Sequence, residues 1–181
     1  MKSIDLMKNE HQLIFKAVDI IKKESIDILE GKEINTDLFY NFIEFVRKFA
    51  DEHHHGKEEK FLFKEMQDKL GEIGVNVIKH GMLVEHDLGR LYMAELETSL
   101  NDYKANNNSE IKLDILTNTM SYAKLISRHM AKEDDLIYVF GMKNLPEDVM
   151  AEVDKKSLSY EKEHSHVRDY YEKLIENKFK K

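Results

Sequence analysis

Two stretches of this chain carry the same residues at a constant offset of 75 positions. Met7, Glu10, His11 and Leu13 recur as Met82, Glu85, His86 and Leu88, and His54, Lys57 and Glu58 recur as His129, Lys132 and Glu133. The interval from first to second histidine is therefore 43 residues in both halves. Chance seldom preserves two histidines, a glutamate and their flanking residues at one offset, so the pattern marks an internal duplication. A duplicated chain of this kind is constrained to bring its two like halves together around one two-fold site.

Composition says which element does this. One proline and seven glycines among 181 residues leave few breaks, and 35% charged residues with abundant Lys, Glu, Leu and Ile favour helix throughout. A hydrophobic content of 41% suits a single compact domain with a real core. Apolar residues Leu6, Leu13, Ile14, Ala17, Ile20, Ile21 and Ile28 predict a first helix from about Ser3 to Leu29, ending near Gly31. A second runs from Thr36 or Asp37 to about Leu70, where GEIG is read as a break. A third spans about Asn76 to Tyr103, and after KANNNSE a fourth starts with Ser109 as N-cap and ends near Gly141. Pro146, followed by Glu147 and Asp148, starts a fifth that continues to about Phe179. The fold expected is all-α: one domain over 1–181, made of an up-down-up-down four-helix bundle in 1–141 and an appended C-terminal helix in 142–181.

The shared polar residues give the bundle its chemistry. Residues four apart on a helix project from one face, so His54 with Glu58, and His129 with Glu133, each present an imidazole and a carboxylate together. His11 and His86 add donors from the first and third helices, and four helices can aim all six at one central position. Zero cysteines leave nitrogen and oxygen as the only donors. Four histidines and two glutamates exceed what one tetrahedral zinc takes and suit two octahedral ions sharing carboxylates.

These residues resemble the hemerythrin-like di-iron family, the HHE cation-binding domain. The resemblance covers helices one to four and rests on His11, His54-x-x-x-Glu58, His86 and His129-x-x-x-Glu133, with EEKFLF and VEHDLGR as similar flanks. It implies those six residues as ligands of two iron ions joined by an oxygen bridge, with manganese or zinc as poorer fits. Oxygen-carrying members have a further histidine four residues from the third-helix ligand, where this chain has Met82 and Arg90. It is thus more similar to the bacterial and archaeal four-histidine, two-glutamate branch, linked to oxygen, nitric oxide or peroxide chemistry and to repair of iron centres. Repair proteins typically carry a short cysteine-bearing amino-terminal segment, and this sequence contains no cysteine. Binding or sensing of such a ligand, with a separate redox or signalling partner, is the leading expectation; turnover of peroxide or nitric oxide, and iron storage or donation, stay open.

Other histidines fit less well. His55 with Glu59 has the same spacing as His54 with Glu58, but only the latter register is repeated, which leaves His53 and His55 exposed or supporting. His80 has no counterpart in the first half. Glu161 and His164 show a Glu-x-x-His spacing of ferritin-like bundles, with Glu52 and His55 the only passable second copy, so His164 is read as a hydrogen-bonded residue of the core or one supporting the site from behind its ligands. Glu10 and Glu85 are read equally as orienting neighbouring imidazoles or as plain surface residues, and Tyr122, one heptad before His129 but with Arg47 as offset partner, as lining the pocket or, more safely, as packing.

Several function classes are excluded or disfavoured. A net charge of −7 argues against a duplex nucleic-acid binder, despite a small basic tail at Lys178, Lys180 and Lys181. The absence of a long apolar run and of an apolar amino end predicts a cytoplasmic protein with no membrane partner. No nucleotide-binding glycine motif, HExxH or serine elbow occurs.

Overall fold

The computed structural model describes residues 1–179, so Lys180 and Lys181 of the basic tail lie outside the described residues. Among the described residues six helices follow one another: α1 (Lys2–Leu29), α2 (36–69), α3 (71–105), α4 (109–144), α5 (Glu147–Glu163) and α6 (Ser165–Glu176). No strand occurs among the described residues. The first four form the bundle, and α5 and α6 lie along α1 and α2. No helix is long and apolar enough to cross a membrane among the described residues.

Helix ends follow local chemistry. Asn35 starts α2 by accepting from the Leu38 amide at 3.2 Å. Asn108, not Ser109 as expected, caps α4 by accepting from the Ile111 amide at 2.9 Å. The GEIG stretch is a second correction: α3 begins at Gly71, five residues before Asn76. Gly71 alone makes the turn, at φ +60°, a conformation that favours glycine. Gly74 then passes so close to α2 that a Cβ there would collide with the Met66 carbonyl oxygen.

The fifth helix expected over 146–179 is broken in two at His164 (φ −115°, ψ 17°). Its two parts hold different neighbours. Asp154 of α5 accepts from the Ser3 amide at 2.9 Å, whereas Tyr171 of α6 stacks edge-on against Phe45 of α2. The break lets one segment hold two different sets of neighbours.

Two apolar clusters sandwich a polar layer. On one side lie Leu13, Ile14, Phe42, Phe49, Met93 and Ile126 with their neighbours, and on the other Ile4, Met7, Leu62, Phe63, Met66 and Ile137 with theirs. On α1 the division falls between Met7 and Leu13, at Glu10 and His11. Burying these imidazoles and carboxylates between apolar layers is expensive unless they are paired or bind an ion. The helices also widen locally into π turns, and two of these, Glu58–Leu62 and Glu133–Ile137, begin on the repeated glutamates. A π turn is frequently found at a functional site because it redirects the side chains at its start.

Candidate metal centre

All six residues singled out by the repeat converge in the polar layer, and all are buried. His11 and His54 bring their Nε2 atoms within 3.0 Å, with rings crossed at 71°. His86 and His129 repeat this at 3.0 Å and 70°. An ion roughly 2.1 Å from each of two imidazole nitrogens at right angles would separate them by about 3.0 Å, so each pair has the spacing of adjacent ligands. Glu58 and Glu133 lie between the pairs. Glu133 Oε1 is 3.0 Å from His129 and Oε2 3.4 Å from His11, while Glu58 Oε2 is 3.8 Å from both His54 and His86.

The outer ring nitrogens are committed elsewhere. Nδ1 of His54 contacts Glu10 at 2.8 Å and Nδ1 of His129 contacts Glu85 at 2.8 Å. His86 meets Glu59 at 2.7 Å and His11 meets Asp134 at 3.0 Å. A carboxylate only accepts, so each Nδ1 carries the proton and donates it, turning the Nε2 lone pair inward. Lys57 and Lys132 in turn donate to Glu10 and Glu85. Glu59 and Asp134 are themselves 75 positions apart, as are the two lysines; the sequence contained this pair of acids but they had not been selected. Of the two roles open to Glu10 and Glu85, the structure gives the orienting one, across to the neighbouring helix.

Lone pairs therefore face lone pairs at the centre. Glu58 Oε2 and both oxygens of Glu133 are buried and accept no hydrogen bond. The donor set and these orphaned oxygens fit a cation. Without one, protons take its place. Burial pulls the His11 pKa down most strongly, but Asp134 and Glu133 outweigh it together and raise it to about 9. His129 is raised to about 10 against the same burial, chiefly by Glu133. Burial first, then the Glu133 charge, pushes Glu58 up to about 8. Burial would also raise Glu133, but the histidines His129, His11 and His86 hold it well below the carboxylate range. For His54, burial dominates and lowers the pKa to about 4.

The two halves differ in what surrounds them. Tyr138, which sequence reasoning missed, donates its hydroxyl to Glu58 Oε1 and lies flat against His11. Its counterpart is Phe63, near His86. On the His86 and His129 side a cavity of about 140 Å³ remains, walled by Val46, Met93, Leu125 and Ile126. It exists because Gly89 stands where the other half has buried Ile14, and His55 where it has buried Met130. Arg90, in ion pairs at 2.7 Å with both Asp51 and Glu59, sits at its rim.

His53 and His55 are buried, so of the two roles expected of them, exposed or supporting, the structure gives the supporting one. His53 Nε2 contacts Glu161 at 2.9 Å and Glu10 at 3.3 Å, and belongs to the ion cluster around Lys57. His55, Glu58, His86 and His129 offer donor atoms within 4.8 Å of one another. Nevertheless, the His55 ring stacks on His86 at 3.8 Å and 6°. An imidazole lone pair lies in the ring plane, so two stacked rings cannot both point at one ion. His55 supports the cavity and the His86 ring. His80 is exposed, and His164 is half-buried, with Nδ1 2.8 Å from the Tyr160 carbonyl, so it is not a core residue. Tyr122 packs as expected, edge-on to Phe42, yet its buried hydroxyl on the cavity wall has no partner.

An all-helical bundle whose interior carries an imidazole and carboxylate cluster defines a cation-binding helical protein. The family model of the hemerythrin HHE cation binding domain matches residues 2–140, and the chain belongs to that family. No curated protein and no solved structure gives a significant match.

Proposed function

We propose that this protein holds two iron ions, one between His11 and His54 and one between His86 and His129, with Glu58 and Glu133 shared between them, and that it binds or senses oxygen, nitric oxide or peroxide there. The observation that supports this most is the set of four inward Nε2 lone pairs facing two carboxylates, three of whose oxygens are buried without a hydrogen bond. Such a set is stable only around positive charge, and a mixed nitrogen and oxygen donor set of this size suits iron. When bound, the ions supply redox chemistry and an exchangeable ligand position. The chain's own residues orient the imidazoles, keep bulk water out with the two apolar clusters, and keep the Tyr138 hydroxyl protonated on Glu58, since burial and the nearby Glu58 and Glu133 charges raise its pKa. A separate redox or signalling protein would receive the output.

Metal analysis with an optical spectrum in air, before and after azide, tests this. Two irons per chain with an azide-dependent band are expected. Retention of two irons in His54→Ala or Glu133→Ala would contradict the ligand set, whereas His80→Ala should match the parent chain.

A further inference from the structure

Of the six central residues, only His86 and His129 line the cavity of about 140 Å³, so a molecule inside it meets the second pair of imidazoles and not the first. Four charged side chains share the wall, and each is ion-paired: Arg47 with Glu97, Asp51 with Arg90, and Glu85 with Lys132. No wall charge is without its counter-charge. Much of the remaining wall is apolar, from Val46, Met93, Leu125 and Ile126. Arg47 and Arg90 are 42% and 41% exposed, which puts the cavity within reach of solvent. An apolar cavity of about 150 Å³ can hold a benzene molecule or a xenon atom, so a diatomic molecule fits here easily.

The equivalent space in the first half is filled. Ile14 and Met130, both fully buried, stand where the second half has Gly89 and His55. Phe15, packed against the core, replaces Arg90. The Tyr138 hydroxyl lies 3.4 Å from His11 Nε2, so that nitrogen already has an oxygen beside it. Its counterpart Phe63, near His86, brings no polar atom. Access thus differs between the halves chiefly because a glycine stands in one and an isoleucine in the other. A Cβ added at Gly89 would touch the Tyr122 ring at 3.5 Å, an ordinary contact, whereas a longer side chain would have to take up the cavity.

We propose that a diatomic ligand of the dioxygen or nitric oxide class reaches the centre on the His86 and His129 side alone, through the cavity that Gly89 leaves open. The inference rests on the metal-centre reading and says which of the two proposed ions takes the ligand. Gly89 is the residue that sets this access, since it touches neither ion and acts only by its lack of a side chain.

Anaerobic nitric oxide titration and stopped-flow binding, on the reduced iron-loaded parent chain and on Gly89→Ala, Gly89→Leu and Leu125→Phe, test it. The parent should bind one nitric oxide molecule per chain. Gly89→Leu and Leu125→Phe, which fill the cavity from different helices, should keep their iron and bind about tenfold more slowly, a barrier higher by about 1.4 kcal/mol. Gly89→Ala should stay within about twofold of the parent, a change of under about 0.5 kcal/mol. If Gly89→Leu loses iron, Leu125→Phe decides. A xenon-pressurised crystal of the iron-loaded parent should show xenon against Met93, Leu125 and Ile126. Two nitric oxide molecules per chain, parent-like binding in an iron-replete cavity-filled variant, or xenon against Ile14 and Met130 instead would overturn this inference and leave the metal centre standing. A parent chain that takes up no iron would overturn the metal-centre reading, and this inference with it.

Discussion

Lys57 and Lys132 occupy equivalent positions and contact equivalent glutamates, yet their surroundings differ. Lys57 is fully buried among Glu10, His53 and Glu161, whereas the Lys132 side chain is 39% exposed. Lys57→Met should therefore destabilise the protein by about 3–5 kcal/mol, because buried acids lose their cation. Lys132→Met should change stability by less than about 1 kcal/mol; urea midpoints would measure both. Protons at the centre have their own signature in the metal-free chain. His11 and His129, raised to about 9 and 10, stabilise the fold fully below pH 6.5, and this is lost as pH rises through those values. Glu58, raised to about 8, loses stability over the lower window from 4.5 to 8. Urea unfolding of metal-free protein should thus show stability falling between pH 6.5 and 10, and the metal-loaded protein should show a flatter profile because ions have displaced these protons. The six central residues and their supporting glutamates were legible because duplication repeats them. His55 and Tyr138 were not. Three consecutive histidines point about 100° apart around a helix, and only the presence of α1, α3 and α5 on its different sides makes all three buried.

Breakers mislead when a close approach requires them. GEIG reads as a loop, but Gly71 supplies the turn and Gly74 lets α3 start against α2. Gly74→Ala should destabilise by about 1–3 kcal/mol, since its new carbon would collide with backbone that cannot swing aside. An Asn108→Ala change, which removes the α4 cap, should lower stability by about 1 kcal/mol. Thermal melts would check both. The break at His164 left no clear mark in the sequence: Tyr160, Val167, Tyr171 and Leu174 keep helical spacing across it. What divides α5 from α6 is that each holds different neighbours, Ser3 of α1 for one and Phe45 of α2 for the other, a property of the assembled bundle.

The whole molecule is a polar layer clamped between two apolar ones, so metal binding and folding are coupled. A cation present at 100 times its dissociation constant would add about 2.7 kcal/mol to the folded state. Chelation should accordingly lower the melting temperature by roughly 5–10 °C, and a melt insensitive to chelator would count against a metal inside the bundle. By itself the sequence determined the all-helical class, the duplication, and the six residues that meet at the centre, because helical periodicity and a fixed offset are local, one-dimensional properties. Only tertiary packing decided which acid holds which ring, where the halves stop being alike, and that a cavity opens beside His86 and not beside His11. The physical reason is that burial, pairing and empty volume belong to residues from different helices. Gly89 and Ile14 acquire their opposite meanings only when those helices meet.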